Sequence, residues 1–272
     1  MFSVVERDKG NYLALFKSYR GIFPFRLATT SFIYPDRILP NAMRLAPYLD
    51  EMELILFESK NLPDREEISD LSALQDKQGL SYNVHLPLDI FLGHPSDKTR
   101  EEGIAAVQEV VTLTKRLTPS TYTLHYVCDN DFCERNLSLW QRHIAESTGN
   151  ILKMGITPGL ISVETLNYPL TWVEDIINDF SLSICLDLGH ILLLEEDPLY
   201  YLDTYLEKTA IIHLHGVCQG RDHLGLDVLD DVSLAGWLRL LKEYTGTVSI
   251  EVFSFQRLQA SLEVLEKLWE KV

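Results

Sequence analysis

The chain has 272 residues, 46% of them hydrophobic, and a formal net charge of −16 from 24 Lys+Arg against 40 Asp+Glu. That length suits one large α/β domain, because a closed α/β barrel takes about 250 residues, and the apolar content is enough to fill a barrel interior and the layer between strands and helices. The acidity argues against nucleic acid as a partner, since gripping a phosphate backbone needs a local excess of cations, and no apolar run approaches the roughly 20 residues that cross a bilayer. Residues 1–9 carry charge too early for a signal peptide. Cys128, Cys133, Cys185 and Cys218 are spaced too irregularly for a disulfide framework or a zinc ribbon. Reduced thiols in a cytoplasmic protein are the expectation.

In chain order, residues 1–21 are expected to form an N-terminal extension and 22–272 the catalytic domain. Apolar runs follow at 26–30, 52–58, 81–86, 121–126, 160–165, 183–188, 210–215 and 247–253. Most are near-continuous Val, Ile, Leu, Thr and Tyr, as parallel strands covered on both faces require. After the third, Thr99-Arg100-Glu101-Glu102 reads as a capping box. It predicts a helix with Ile104, Val107, Val111 and Thr114 on one face, stopped at Thr118-Pro119. Residues 188–206 predict a short, Pro-interrupted helix, and 216–233 a long polar loop. Leu258, Leu262, Leu265 and Trp269 mark one face of the last helix. Eight alternations of strand and helix predict a (β/α)8 TIM barrel.

Ionisable groups sit where such strands should not hold them. The strand ends read Val84-His85-Leu86, Leu124-His125-Tyr126, Val163-Glu164-Thr165, Asp187-Leu188-Gly189-His190, His213-Leu214-His215 and Ile250-Glu251-Val252. Alone, each histidine would be read as a hydrogen-bonded core group, and each carboxylate as a helix cap or an Arg partner. Together they converge on one end of one barrel, where Lys and Arg are almost absent. Buried carboxylates without cations repel one another, so a metal is the natural counter-charge. A mixed imidazole and carboxylate set suits Zn, Mn or Fe. Gly189 is expected to permit a sharp turn that returns His190 to the same face. His213 and His215 share a side of their strand; one is a ligand and the other lines the pocket or orients a ligand, with His213 favoured. Arg221-Asp222-His223 offers further donors in the following loop.

This pattern resembles the xylose isomerase-like barrels, a superfamily of endonuclease IV-type enzymes and sugar-phosphate isomerases and epimerases, over roughly residues 22–256. The resemblance implies that Glu164, Asp187, His213 and Glu251 are the ligands shared across the superfamily. His85 and His125 fall on histidines with which the endonuclease branch holds an additional metal, and His190 on the histidine of a shared D-x-x-H motif. That branch has an Asp-x-His pair in the seventh loop, whereas this chain has Asp222-His223 with no spacer, so two metals are expected and a third centre stays open. Phe23-Pro24-Phe25-Arg26 through Tyr34-Pro35, Val84-His85-Leu86-Pro87-Leu88-Asp89 and Asp222-His223-Leu224 further resemble the cobamide-remodelling phosphodiesterases.

The first functional expectation is therefore two-metal hydrolysis of the phosphodiester in a cobamide's nucleotide loop. Glu164 would bridge the ions, His85 and His125 would complete one, and Asp187, His213 and Glu251 the other. His190, Asp222 and His223 would hold a further metal or contact the phosphate. Phe32, Tyr34, Phe91 and Tyr168 are candidates to cover the corrinoid. The alternative is a metal-dependent sugar or sugar-phosphate isomerase or epimerase, in which Glu164 and Glu251 shuttle protons beside one ion and His85 and His125 have no assigned task. A non-enzymatic corrinoid-binding module is the third reading. Oligomeric state and the bond cleaved stay open.

Overall fold

The computed structural model describes residues 13–128 and 130–272. Strands β1 (Arg26–Thr30), β2 (Glu51–Ile55), β3 (Ser81–His85), β4 (Tyr122–Leu124), β5 (Ile161–Glu164), β6 (Ser183–Asp187), β7 (Thr209–Leu214) and β10 (Thr247–Ile250) close into one barrel, with β10 completing the circle beside β1. Every pairing around it is parallel, and helices return the chain between strands, so the fold is a (β/α)8 TIM barrel. Between β7 and the helix Asp231–Leu240 lies an antiparallel hairpin of β8 (Gly216–Cys218) and β9 (Arg221–Leu224). The polar loop expected over 216–233 is thus an ordered hairpin, turned at Gln219 and Gly220, both with positive φ. Among the described residues, no helix is long and apolar enough to cross a membrane.

The alternation of each strand separates two environments. Met52, Leu54, Tyr82, Val84, Leu186, Ile212 and Val248 join the hydrophobic core between strands and helices. Their in-between neighbours face the interior, and there the apolar filling expected from composition gives way to a hydrogen-bonded polar stack. At its floor, buried Glu51 accepts hydrogen bonds from Ser81, Asn83, Ser120 and Thr247, and pairs with Arg26 at 2.9 Å. A buried charge is tolerable with that many partners.

Of the expected N-terminal extension, residues 1–12 lie outside the described residues. From Leu13, whose carbonyl accepts the Tyr34 hydroxyl at 2.7 Å, the chain passes the last helix, where Lys17 pairs with Glu266. Near the end of this segment the Arg20 guanidinium donates to the carbonyls of Ala46, Gln78 and Gly79 at helix C-termini, which lack intrahelical donors and favour a cation.

Three local readings change. The helix expected at Thr99 runs over Asp97–Thr114, and its cap is Ser96, whose hydroxyl accepts the Thr99 N–H; Thr99 lies inside the first turn. The Pro-interrupted segment resolves into two helices, Leu188–Leu193 and Pro198–Tyr205. Cys128 and Cys133, expected as reduced thiols, form a disulfide, while Cys185 and Cys218 are free.

Candidate metal centre

Parallel strands all point their C-terminal ends to one rim, which is why the strand-end histidines and carboxylates meet. Glu164, 1% exposed at the end of β5, stands at the centre. Its Oε2 lies 3.1 Å from His85 Nε2 and 2.9 Å from His125 Nε2. Its Oε1 lies 3.3 Å from His190 Nδ1 and 3.7 Å from His213 Nδ1. One carboxylate thus separates donors of β3 and β4 from donors of β6 and β7.

For two of the rings, those of His85 and His213, a hydrogen bond on the far side fixes which nitrogen faces inward. His85 Nδ1 lies 2.9 Å from the Leu86 carbonyl, which can only accept, so Nδ1 carries the proton. A neutral His85 then presents an Nε2 lone pair to a carboxylate oxygen, an arrangement that calls for a cation between them. The same holds for His213. Its Nε2 donates to Glu53 Oε1 at 2.9 Å, and Glu53 is fixed in turn by Ser249 Oγ at 2.6 Å. His213 Nδ1 therefore faces Glu251 Oε2 at 3.2 Å and Asp187 Oδ2 at 3.7 Å. Among the described residues, His213 Nδ1 and Glu251 Oε2 are buried with no hydrogen-bond partner. Orphaned buried acceptors aimed at one point fit a cation, and a carboxylate behind the imidazole is the usual support of a ligating histidine.

Asp187 serves two ends. Its Oδ1 caps the helix Leu188–Leu193 by accepting the His190 N–H at 2.7 Å, while Oδ2 lies 3.2 Å from His215 Nε2. His215 Nδ1 lies 3.0 Å from the His223 backbone nitrogen and 3.3 Å from the Gly216 carbonyl, and its Nε2 lies 3.1 and 3.2 Å from the two Asp187 oxygens. His213 Nδ1 thus faces inward without a hydrogen-bond partner, while His215 pairs with Asp187 and groups with Asp187 and His190, and with His223 and Glu251, as a candidate donor. Gly189 is helical rather than a sharp turn; a Cβ there would come within 2.0 Å of His215 Cε1. Glycine is needed for the approach of the ring.

His223 adopts φ +48, on the hairpin strand β9. Its carbonyl accepts from Arg257 at 2.9 Å, and its Nδ1 lies 3.7 Å from Glu251 Oε2. Donor atoms of His190, Asp222 and His223 lie within 4.8 Å of one another, as do those of His85, His125 and Glu164. The missing spacer between Asp222 and His223 does not keep the pair from the rim.

Electrostatically the cluster demands positive charge. Burial disfavours charge on Glu164, yet His125 and His213 hold its carboxyl well below the ordinary range. Asp187 is likewise held low by His215 and His190 against its burial. In return Asp187 and Glu164 overcome burial to raise His190 to about 10, His85 and His215 are raised against burial by neighbouring carboxylates, and His213 is raised against burial by Cys185 and then by Glu53, Glu251 and Glu164.

All nine expected donors, His85, His125, Glu164, Asp187, His190, His213, Asp222, His223 and Glu251, lie in this cluster. Sequence reasoning passed over Glu53 and Cys185. Glu51 and Glu53 are carboxylates spaced by two in an apolar run, a readable sign of one inward face. Cys185, grouped with Glu164 and His213, is a thiol pushed well up by burial and carries no such sign. Of the aromatics expected at the mouth, Tyr34 and Tyr168 belong to the core instead. Tyr168 donates to the Tyr126 carbonyl at 2.8 Å and packs on Trp140 and Trp172.

Solved structures share this architecture. A D-tagatose 3-epimerase-like protein matches at 17% identity, covering 91% of this chain and 98% of its own, with a TM-score of 0.78. A 3-keto-D-glucoside 4-epimerase from E. coli matches at 16%, covering 90% and 98%, with a TM-score of 0.68. Endonuclease IV from Thermus thermophilus matches at 17%, covering 91% and 100%, also at 0.68. At such identities the likeness is one of fold. No curated protein sequence matches the chain. The family described as xylose isomerase-like TIM barrel matches residues 49–268, most of the barrel and every donor of the cluster, and the chain belongs to that family.

Proposed function

We propose that the chain is a metal-dependent phosphodiesterase that works with two transition-metal ions, zinc, manganese or iron, on the nucleotide-loop phosphodiester of a cobamide. The observation that carries this reading is the position of Glu164, with one oxygen toward His85 and His125 and the other toward His190 and His213. A carboxylate so placed would serve two ions, one on each oxygen. His85 and His125 would hold one ion with Glu164; His213, Asp187 and Glu251 would hold the other. Bound ions supply Lewis acidity toward the phosphate and lower the pKa of water.

The residues then divide the work. Glu251, through the carboxylate oxygen not turned toward His213, would receive the proton of the attacking water. The water oxygen forms the new bond to phosphorus, the ester P–O bond breaks, and its electron pair leaves on the departing oxygen. His190, half-buried at the rim, orients the phosphate and returns a proton to that oxygen. Asp222 and His223 close over the same edge from the hairpin, as phosphate contacts or as donors to a third ion.

The solved structures favour a second reading, because sugar epimerases predominate among those compared. In it, Glu164 and Glu251 exchange protons with a ketose beside a single ion, and His85 and His125 stay outside the chemistry. His125→Ala separates the two. Under the phosphodiesterase reading it removes one ion per chain and costs about a hundredfold or more in hydrolysis. Metal content with anomalous scattering counts the ions, and chromatography follows conversion of a complete cobamide to a cobinamide-type corrinoid, with ketoses and abasic-site DNA in parallel. One ion per chain, with ketose epimerised and cobamide intact, sinks the phosphodiesterase reading. Cleavage of abasic DNA overturns the argument from net charge.

A further inference from the structure

A wall of phenylalanines stands beside the donor cluster. Phe253, Phe32 and Phe57 follow β10, β1 and β2, three consecutive strands of the barrel. The Phe32 and Phe57 centroids are 4.9 Å apart, and those of Phe57 and Phe253 6.2 Å. Phe253 meets the His223 ring edge-on at 5.2 Å, so the wall runs directly into the cluster. Phe57 is 41% exposed, and Leu88 beside it 39%. A cluster of exposed apolar side chains at the mouth of a polar site marks a surface that something covers.

The wall is held in place. Leu88 N–H donates to the Phe57 carbonyl at 3.2 Å. The Asp89 carboxylate accepts from Ser59 N–H at 2.9 Å and Ser59 Oγ at 2.8 Å, tying the loop after β2 to the loop after β3. Its shape also selects. Successive rings tilt by 50° and 42°, so they present no single plane broad enough for the face of a macrocycle. They do present a stacking surface for one fused ring system. Phenyl rings offer π faces and no hydrogen-bonding groups, which suits any planar base without choosing its edge pattern.

We propose that Phe32, Phe57 and Phe253 form a subsite that stacks the planar heteroaromatic base of a nucleotide whose phosphate lies at the donor cluster. The inference rests on the phosphodiesterase reading and specifies which part of the substrate the wall takes: the base of the nucleotide loop rather than the corrinoid.

Adenosine 5′-monophosphate and ribose 5-phosphate carry the same phosphate on the same sugar and differ by the base. Isothermal titration of both into zinc-loaded protein isolates the wall from the metals. The wild-type protein binds the adenosine ligand about tenfold more tightly or better. Phe57→Ala, at an exposed position, shrinks that advantage to about threefold or less while leaving ribose 5-phosphate nearly unchanged, and Phe57→Trp keeps it. Equal binding of the two ligands by wild type, no binding of either, or a preference that survives Phe57→Ala overturns the subsite. Ion count and turnover of bis-p-nitrophenyl phosphate on the same preparation report the phosphodiesterase reading separately. Two ions and turnover without base preference defeat the subsite alone; a base preference with one ion and no turnover defeats the phosphodiesterase reading alone.

Discussion

Glu53 touches neither mouth nor solvent, yet it decides which nitrogen of His213 is available. Its carboxylate accepts from His213 Nε2 and Ser249 Oγ, leaving Nδ1 as the inward lone pair. A negative partner also makes the imidazole more basic and so a better ligand. Glu53→Gln keeps the shape and an acceptor oxygen but removes the charge. It is expected to weaken metal binding by about ten- to hundredfold with the circular dichroism spectrum unchanged. Chelator competition gives the affinity, and an affinity equal to wild type would remove Glu53 from the support of the site. The Asp187 carboxylate shows the same economy: one oxygen caps a helix, both lie within 3.2 Å of His215 Nε2, and that ring fits only because residue 189 has no side chain.

At the scale of elements, the helix Asp97–Thr114 tests where a cap belongs. Ser96 Oγ accepts the Thr99 N–H, so Ser96→Ala is expected to cost about 0.5–1 kcal/mol, at the low end for an exposed cap. Thr99→Ala is expected to cost only a few tenths of that order. Urea melts of the two variants compare them, and a larger loss at Thr99 would restore the capping box read from sequence. The two serine and threonine positions are three apart and both precede acidic residues, so local pattern alone does not choose between them. The strands were legible as short apolar runs between helix signals, although Glu51, Glu53, Asn83 and Ser249 turn a polar face to the interior. The donors were legible because histidine and carboxylate at strand ends have no other cheap environment. What escaped depends on contacts distant in sequence: the polar interior around Glu51, the pairing of Glu53 with His213, and the wall that joins Phe32, Phe57 and Phe253. The hairpin of β8 and β9 escaped for another reason, since its side chains are half-exposed and polar and carry no burial pattern.

Across the whole molecule, the cluster makes stability depend on pH in a way that metal reverses. In chelated protein, the charged imidazoles and carboxylates hold one another. His190 rises from 6.5 to about 10 because Asp187 and Glu164 outweigh its burial. A raised folded pKa contributes stability that is complete below about 6.5 and is lost as pH climbs toward about 10. Glu164, Asp187 and Glu251 are lowered, so their contribution is complete above their ordinary values and fades only in acid. The chelated protein is therefore expected to be most stable between about pH 4.5 and 6.5 and to weaken steadily above. A bound ion replaces those protons and stabilises the folded state. Thermal melts with chelator and with zinc, from pH 5 to about 9, measure both curves. A chelated melting temperature that stays level or rises from pH 6.5 to about 9 contradicts this. The barrel also imposes an order on synthesis. His85 and Glu164 end β3 and β5 and His125 follows β4, neighbours in both chain and sheet, so a chain emerging from the ribosome has delivered one complete donor set once β5 is out. The other set needs Asp187, His213 and Glu251, and the last of these follows β10. On the two-ion reading proposed above, the first donor set is complete while the barrel is still an open arc and the second only as it closes.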